Sequence, residues 1–228
     1  MTYSADTLSP RQNLQVSLSG LPQRHLGLSM SDLDGYKSDS TLTVAERWLE
    51  GVRSGQVIRA TGKSSCGRGL LLYGPPGTGK TALACALTQE LVRTSTREVW
   101  KSGEHRMDRP VFFATYPKIL ELMKARMDGD DKADSLIKSF HGDDLNSAVR
   151  LLVIDDLGKE HRHANHWAET MFDHLLRNRF DEGWPTIVTT NVAPREWSGI
   201  YGEAMASFAH EAFDHLAIMA VVGDRRLS

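Results

Sequence analysis

Gly74-Pro75-Pro76-Gly77-Thr78-Gly79-Lys80-Thr81 satisfies every fixed position of the pattern G-x-x-x-x-G-K-[ST]. The spacing has a physical reason. Glycines at 74, 77 and 79 let the backbone turn tightly, so that its N–H groups face inward on phosphate oxygens. Lys80 can then reach the terminal phosphates of a nucleotide, and the Thr81 hydroxyl can hold Mg2+. A helix beginning near Lys80 would aim its positive end at the same anion.

The flanks agree with that reading. Leu70-Leu71-Leu72-Tyr73 is a short apolar run of the kind a buried parallel strand requires. Beyond the loop, Leu83, Ala86, Leu87 and Leu91 recur at helical spacing. Strand, loop and helix come in the order that a phosphate-binding loop needs.

The chain has 228 residues, a length that suits one α/β domain with a short appendage. Its formal net charge of −2 gives no global basic field, so any contact with nucleic acid has to be a local patch. Cys66 and Cys85 form neither a disulfide framework nor a C-x-x-C pair, which fits a reducing cytoplasm. No N-terminal apolar run resembles a signal peptide, and no stretch is long enough to span a membrane. A cytoplasmic location is expected.

Residues 1–30 are rich in Ser, Gln, Leu and Pro and carry no sustained period. They read as a flexible N-terminal arm, either a disordered tail or a partner-docking segment that folds on binding. Thr43-x-x-Glu46 has the form of a capping box, and Val44, Ala45, Trp48, Leu49 and Val52 make one apolar helical face after it. Residues 61–69 form a polar, Gly-rich lead into the first strand. Residues 94–110, with Lys101, His105, Arg106 and Arg109, read as a solvated excursion or as a phosphate-backbone contact. Residues 111–115 are the second strand. A helix follows Pro117 with Ile119, Leu120, Met123 and Met127 on one face, and a shorter one is expected around Leu136, Ile137 and Phe140.

Leu151-Leu152-Val153-Ile154-Asp155-Asp156 is the second decisive stretch, an apolar run ending in two carboxylates roughly 75 residues after the loop. In open α/β sheets ligands bind at the C-terminal ends of the strands. There Asp155 would hold Mg2+ through water, and Asp156 would orient or deprotonate an attacking water. Residues 185–191 are a fourth strand, and Asn191 at its tip could hydrogen-bond a γ-phosphate or that water. Lys80, Asp156 and Asn191 are thus the candidate catalytic residues, and Thr81 and Asp155 the candidate metal ligands.

His161, His163 and His166 lie close together, but no cysteine accompanies them and their spacing matches no zinc motif, so a polar loop is expected. A helix from about His166 to Phe180 turns Trp167, Met171, Phe172, Leu175 and Leu176 inward. It ends in Arg177 and Arg179, which could face a neighbouring subunit. Another helical segment is expected over about 202–215, and the last strand over 217–222.

Taken together, these motifs resemble the AAA+ family, specifically its DnaC/IstB-like branch, over roughly residues 30–225. The likeness is carried by the loop at 74–81, by Asp155-Asp156-Leu157-Gly158, by the Trp167 helix ending in Arg179, by Thr189-Thr190-Asn191 and by the closing Gly223-Asp224. That branch includes bacterial and phage helicase loaders and the ATP-binding helpers of some transposases. The resemblance implies a P-loop NTPase fold, a three-layer α/β/α sandwich around a five-stranded parallel sheet. It implies an ATPase domain over residues 31–228 with no C-terminal helical lid. It also implies ATP and Mg2+ as cofactors, Lys80 and Thr81 at the phosphates and the metal, and Asp155 at Mg2+. Asp156 would be the catalytic acidic residue and Asn191 the sensor I residue, in a chain that assembles into a ring or spiral with ATP.

The sequence departs from the family pattern in two places. Asp214-His215-Leu216 stands where the family carries Asp-Arg-Leu, and Gly223-Asp224-Arg225-Arg226-Leu227 shifts the final arginine. Histidine has neither the permanent charge nor the fork of a trans-acting arginine finger, so a slow ATPase is expected. Arg177, Arg179, Arg225 and Arg226 are the other candidates for that role.

The function implied is ATP-dependent loading of a replicative helicase onto single-stranded DNA. The alternatives are an IstB-like helper that binds duplex DNA and recruits a transposase, a nucleotide-gated scaffold with little hydrolysis, and a small-molecule kinase. Asn191 after a Thr-Thr strand end argues against the kinase. To grip DNA, Lys118, Lys124, Arg126, Lys132 and Lys138 would have to line up across several subunits.

Overall fold

A computed structural model describes residues 8–33, 39–54, 67–94, 101–102, 105–106, 109–141, 149–158 and 167–219. In chain order its elements begin with α1 (Pro10–Leu18), α2 (Asp39–Arg53), β1 (Gly69–Tyr73) and α3 (Lys80–Thr94). A two-residue antiparallel ladder, β2 (Lys101–Ser102) with β3 (His105–Arg106), follows. Then come β4 (Val111–Thr115), α4 (Tyr116–Met127), α5 (Asp131–His141) and β5 (Leu151–Leu157). The chain goes on through α6 (Trp167–Asp181), β6 (Thr186–Thr190), α7 (Trp197–Tyr201), α8 (Glu203–Ala212) and β7 (Phe213–Ala217).

Five strands pair in parallel in the order β4-β5-β6-β1-β7. Parallel strands need crossovers, and the crossover helices cover both faces. The side-chain alternation divides the core accordingly. Leu70 and Leu72, Val153, Ile187, Val111 and Phe113 face the layer of α2 and α3. Leu71, Leu152, Ile154, Val188 and Ala114 face the layer of α4 to α8. The expected three-layer sandwich is therefore present. Ala45, Trp48, Leu49 and Val52 of α2 pack into the first core, and Phe172, Leu175 and Leu176 of α6 into the second, on the faces that the periodicity indicates.

Several expectations need correction. The stretch read as an N-terminal arm is built into the fold between residues 8 and 33. Ser9 and Gln12 form a reciprocal capping box at the start of α1. The Gln12 amide donates to Val92 O and Arg93 O at the C-terminal end of α3, at 3.1 and 2.9 Å. Ser19 O accepts from Phe113 N on edge strand β4 at 2.6 Å. Next to it Gly20, at φ 75°, passes so near that a Cβ would sit 2.7 Å from Phe113 O. Leu21 and Leu33 join the core. Its polar ties are ones that a search for apolar periodicity does not register, and its apolar contacts, Val16, Leu21, Leu28, Met30 and Leu33, are spaced without a helical or strand period. Thr43 lies inside α2 rather than at its cap, because the helix already begins at Asp39.

The last strand also comes earlier than expected. The helix expected over 202–215 begins at Glu203, after Gly202 (φ 85°) parts it from α7, and it ends at Ala212, where Phe213 turns extended. β7 then pairs Asp214, His215 and Leu216 with Leu70, Leu71 and Leu72. The apolar run at 217–222 drew the expectation, but only Ala217 of it is in the strand, and residues 220–222 lie outside the described residues. So do most of the Gly-rich lead at 61–66, the histidine loop at 159–166 and the closing residues 223–228. Among the described residues no helix is long and apolar enough to cross a membrane.

Arg179 overturns its reading as a subunit-facing residue. It is fully buried at the N-terminal edge of the sheet. Its guanidinium donates to Phe140 O, Val149 O, Arg150 O, Pro185 O and Thr186 Oγ1, all within 2.8–3.0 Å. Five donors in a fixed fork meet five oxygens and tie α5, β5, α6 and β6 together. Burial, with help from the nearby Arg150 charge, pushes its pKa down to about 9, so it remains a cation at neutral pH. Arg179→Met should leave these acceptors without donors and cost at least about 3 kcal/mol. Urea denaturation measures it, and a loss below about 1 kcal/mol would mean that the carbonyls find other donors.

Candidate functional site

β1, between β6 and β7, delivers the loop at 74–81. Gly74 at φ 146° is obligatory, because a Cβ there would lie 2.2 Å from Ile218 O. Gly77 and Gly79 take φ values of 79° and 83°, which lets the loop fold round its own interior. Thr78 Oγ1 donates to Pro75 O at 3.0 Å, closing the turn. Lys80 opens α3 with its ammonium folded back over the loop, donating to Gly74 O at 2.9 Å and Pro75 O at 2.7 Å. A buried cation and a helix N-terminus thus face the same hollow. The hollow is a cleft of about 460 Å³ lined by Pro76, Gly77, Gly79, Lys80 and Thr81, with Asp156 and Asn191 across from them.

The strand order β5-β6-β1 puts three C-terminal ends side by side, so the residues that the sequence singled out converge. Asp155 is buried at the end of β5. Its Oδ1 accepts from Thr81 Oγ1 at 2.9 Å and from Thr189 Oγ1 at 2.6 Å. Asp156 sits at φ 61°, the one non-glycine residue with positive φ among those described. Its N–H donates to Thr189 Oγ1 at 3.0 Å. Asn191, one residue past β6, is exposed on the cleft. Thr81 and Asp155 offer only hard oxygen donors, and the Thr81 hydroxyl, by giving its proton to Asp155, turns its lone pairs outward. That donor set fits Mg2+.

Two polar lining residues escape the sequence reading: Arg24 and His25, on a single 3-10 turn after α1. Arg24 Nε donates to His25 Nε2 at 3.2 Å. Burial holds the His25 pKa below its ordinary value, Arg24 lowers it further, and Asp155 opposes both. The turn is seated by Gln89 of α3. Its amide nitrogen donates to His25 O, Leu28 O and Cys85 O, and its oxygen accepts from Gly27 N. The only sequence signal was the Gly20-Leu21-Pro22 punctuation, which marks a turn but not its neighbour.

His215 does not line this cleft. It lies on β7 with its ring 4.8 Å from that of His210 and its Nε2 3.0 Å from Ala209 O, while Asp214 pairs with Arg68 at 2.7 Å. Burial keeps its pKa below 6.5, against a raising hydrogen bond to Ala209. Arg177 stays on the surface, paired with Asp173 at 2.9 Å and stacked over Phe208 at 4.4 Å. Arg225 and Arg226 are outside the described residues. Among the described residues no group of three or more His, Cys, Asp or Glu side chains could hold a metal ion.

Residues 65–222 match the family described as IstB-like ATP binding protein. Solved structures share the fold. The DnaC helicase loader is 22% identical, covering 87% of this chain and all of that one, with a TM-score of 0.57. DnaI is 21% identical over 90% of this chain and all of its own, with a TM-score of 0.64. AMPPCP-bound DnaA from Aquifex aeolicus is 14% identical over 90% of this chain and 53% of its own, with a TM-score of 0.57. At these identities the likeness is one of fold.

Two outcomes follow from this geometry. Lys80→Ala removes the buried cation, and a charge-assisted contact is worth about 1.5–3 kcal/mol, so affinity for a fluorescent ATP analogue should fall roughly 10- to 150-fold. Unchanged affinity would remove the loop from the binding site. The second outcome concerns pH. His25 and His215 are held below their unfolded value of 6.5, so the unfolded chain takes up protons first. Their contribution to stability is full above about pH 6.5 and is lost as pH falls toward the folded values. Thermal melting from pH 7.5 to 5 should show the decline, and His215→Gln should flatten part of it.

Proposed function

The chain belongs to the IstB-like ATP-binding family, within the DnaC/IstB-like branch of AAA+ proteins, and from that premise we propose that it is a slow ATPase that loads a replicative helicase onto single-stranded DNA. One observation carries the ATPase reading: Lys80 and Thr81 face Asp156 and Asn191 across a single cleft, with Asp155 bonded to Thr81. The loop N–H groups and Lys80 bind the β- and γ-phosphates. Thr81 and Asp155 would hold Mg2+, which when bound neutralises phosphate charge. Asp156 orients a water and takes its proton, and Asn191 positions that water against the γ-phosphate. His215 cannot act as an arginine finger, which supports slow turnover that rises little with protein concentration.

The partner reading is supported by the folds of DnaC and DnaI, both matched over their full length. The basic residues after β4 support only weak DNA contact by one copy. Lys118 pairs with Glu121, and Arg126 and Lys138 both pair with Asp134. Binding should therefore need several copies assembled with ATP. The family match keeps the transposition helper as the second reading. For the ATPase domain we take residues 31–228, with residues 1–30 as the helicase-docking segment. Deleting that segment would also take Leu21 from the core, so Leu14→Glu, at a half-exposed position of α1, is the cleaner disruption.

Asp156→Asn should keep ATP binding and lower turnover by roughly a hundredfold or more. Normal turnover would pass the role to another residue. Fluorescence anisotropy with a non-hydrolysable ATP analogue should show ATP-dependent binding of single-stranded DNA that weakens steeply with salt. Leu14→Glu should spare that binding and abolish helicase pull-down. Preference for duplex DNA would favour the transposition helper, and no DNA binding in any nucleotide state would sink both.

A further inference from the structure

The end of β5 carries one residue too many for its partner. Register runs Leu152 to Thr186, Val153 to Ile187 and Ile154 to Val188, and resumes at Leu157 with Thr190. Three steps along β5 thus match two along β6, and Asp155 and Asp156 together oppose Thr189. That is a β-bulge, a device that re-aims side chains. Regular alternation would send Asp155 to the layer of Val153 and Asp156 to the layer of Ile154. Asp155 keeps the side of Val153 and meets Thr81 of α3, but Asp156 leaves the side of Ile154 and faces the same cleft. The bulge takes Asp156 into the left-handed region at φ 61°, where a side chain persists only if its surroundings hold it.

Thr189 is the residue that holds it. Its side chain is completely buried. A hydroxyl has one proton to give and two lone pairs to receive, and both functions are used on the bulge. The proton goes to Asp155 Oδ1 at 2.6 Å, and a lone pair takes the Asp156 N–H at 3.0 Å. The second bond satisfies the N–H that the bulge removes from the ladder; the first fixes the rotation of the carboxylate that Thr81 also contacts.

We propose that Thr189 is the positioning residue of this site, its hydroxyl holding the bulge that turns Asp156 into the cleft and fixing the Asp155 carboxylate against Thr81. Its consequence for turnover rests on the ATPase reading above; its consequence for the fold of the bulge does not. Thr189 does not line the cleft and acts through the two aspartates.

The test compares Thr189→Val, which keeps the shape and loses the hydroxyl, with Thr189→Ser, which keeps the hydroxyl. Nucleotide binding without Mg2+ should stay within about twofold of wild type in both. In Thr189→Val the Mg2+ concentration for half-maximal activity should rise, and turnover fall, by roughly 10- to 100-fold, the usual effect of losing a residue that orients a metal-binding or reacting group. Thr189→Ser should recover most of both. A Val variant with wild-type Mg2+ dependence and turnover would overturn the proposal, as would a Ser variant impaired as badly as Val. A melting cycle without nucleotide decides the positional claim separately. The drop in Tm caused by Thr189→Val should be at least halved in an Asp155→Ala background, and additive drops would overturn the coupling. A wild type that neither binds nor hydrolyses Mg·ATP would remove the ATPase reading, and the melting cycle would then decide on Thr189 alone.

Discussion

β1 is buried on both faces, and the remainder of the architecture answers to that. Leu70, Leu71 and Leu72 are each completely inaccessible, with neighbouring residues turned toward different helical layers. A strand in that position needs a partner on each edge, which β6 and β7 supply, and a cover on each side. Parallel crossovers provide the cover, because each return to the same edge lays a helix over a face. They also bring every strand end of one polarity to one side. The loop after β1 therefore emerges beside the ends of β6 and β5, and the meeting of Thr81 with Asp155, and of Lys80 with Asn191 in one cleft, is a consequence of strand order. Gly74 passing against Ile218 O fixes how far the loop can ride out.

The two ends of the sheet solve the problem of buried polarity in different ways. At the N-terminal end, carbonyls left over from β5, β6 and α5 converge on the rigid fork of Arg179. A guanidinium cannot change partners without leaving an oxygen unpaired, so that end is locked. At the C-terminal end, Asp155 is satisfied by the hydroxyls of Thr81 and Thr189, and Lys80 by the carbonyls of its own loop. The Thr81 hydroxyl and the flexible Lys80 ammonium can re-aim at little cost. An anion in the cleft can then draw Lys80 from its loop carbonyls while Thr189 keeps its bond to Asp155. The binding end is adaptable because the opposite end is not.

What the sequence revealed depended on whether the chemistry was local. The loop at 74–81 and the run into Asp155-Asp156 were legible because glycine geometry and apolar burial are written in consecutive residues. The helical faces of α2 and α6 were legible by the same periodicity. Residues 8–33 were not, because their seat is made by Gln12 on the end of α3 and by Gln89 on a turn some sixty residues earlier in the chain. Amide side chains in such places leave no pattern. Arg179 misled for a related reason: an arginine near a helix end reads as a surface cation, and only the convergence of distant carbonyls makes burial favourable. β7 was displaced because the most apolar run, at 217–222, is not where the edge of β1 finds its partner.

α3 connects these features. Its first residue is Lys80, Gln89 holds the turn bearing Arg24 and His25, and its last carbonyls are capped by Gln12 of α1. The N-terminal segment and the phosphate loop therefore share one support. Lifting residues 25–28 from the cleft would break the bonds of the Gln89 side chain, itself buried, at a cost of roughly 1–3 kcal/mol for an unsatisfied amide. A bound molecule touching both Lys80 and Arg24 would add to that cost. Coupling between sites in proteins commonly lies within the same range. The segment is therefore held firmly enough to be part of the site, and weakly enough that what occupies the cleft can bear on where α1 rests.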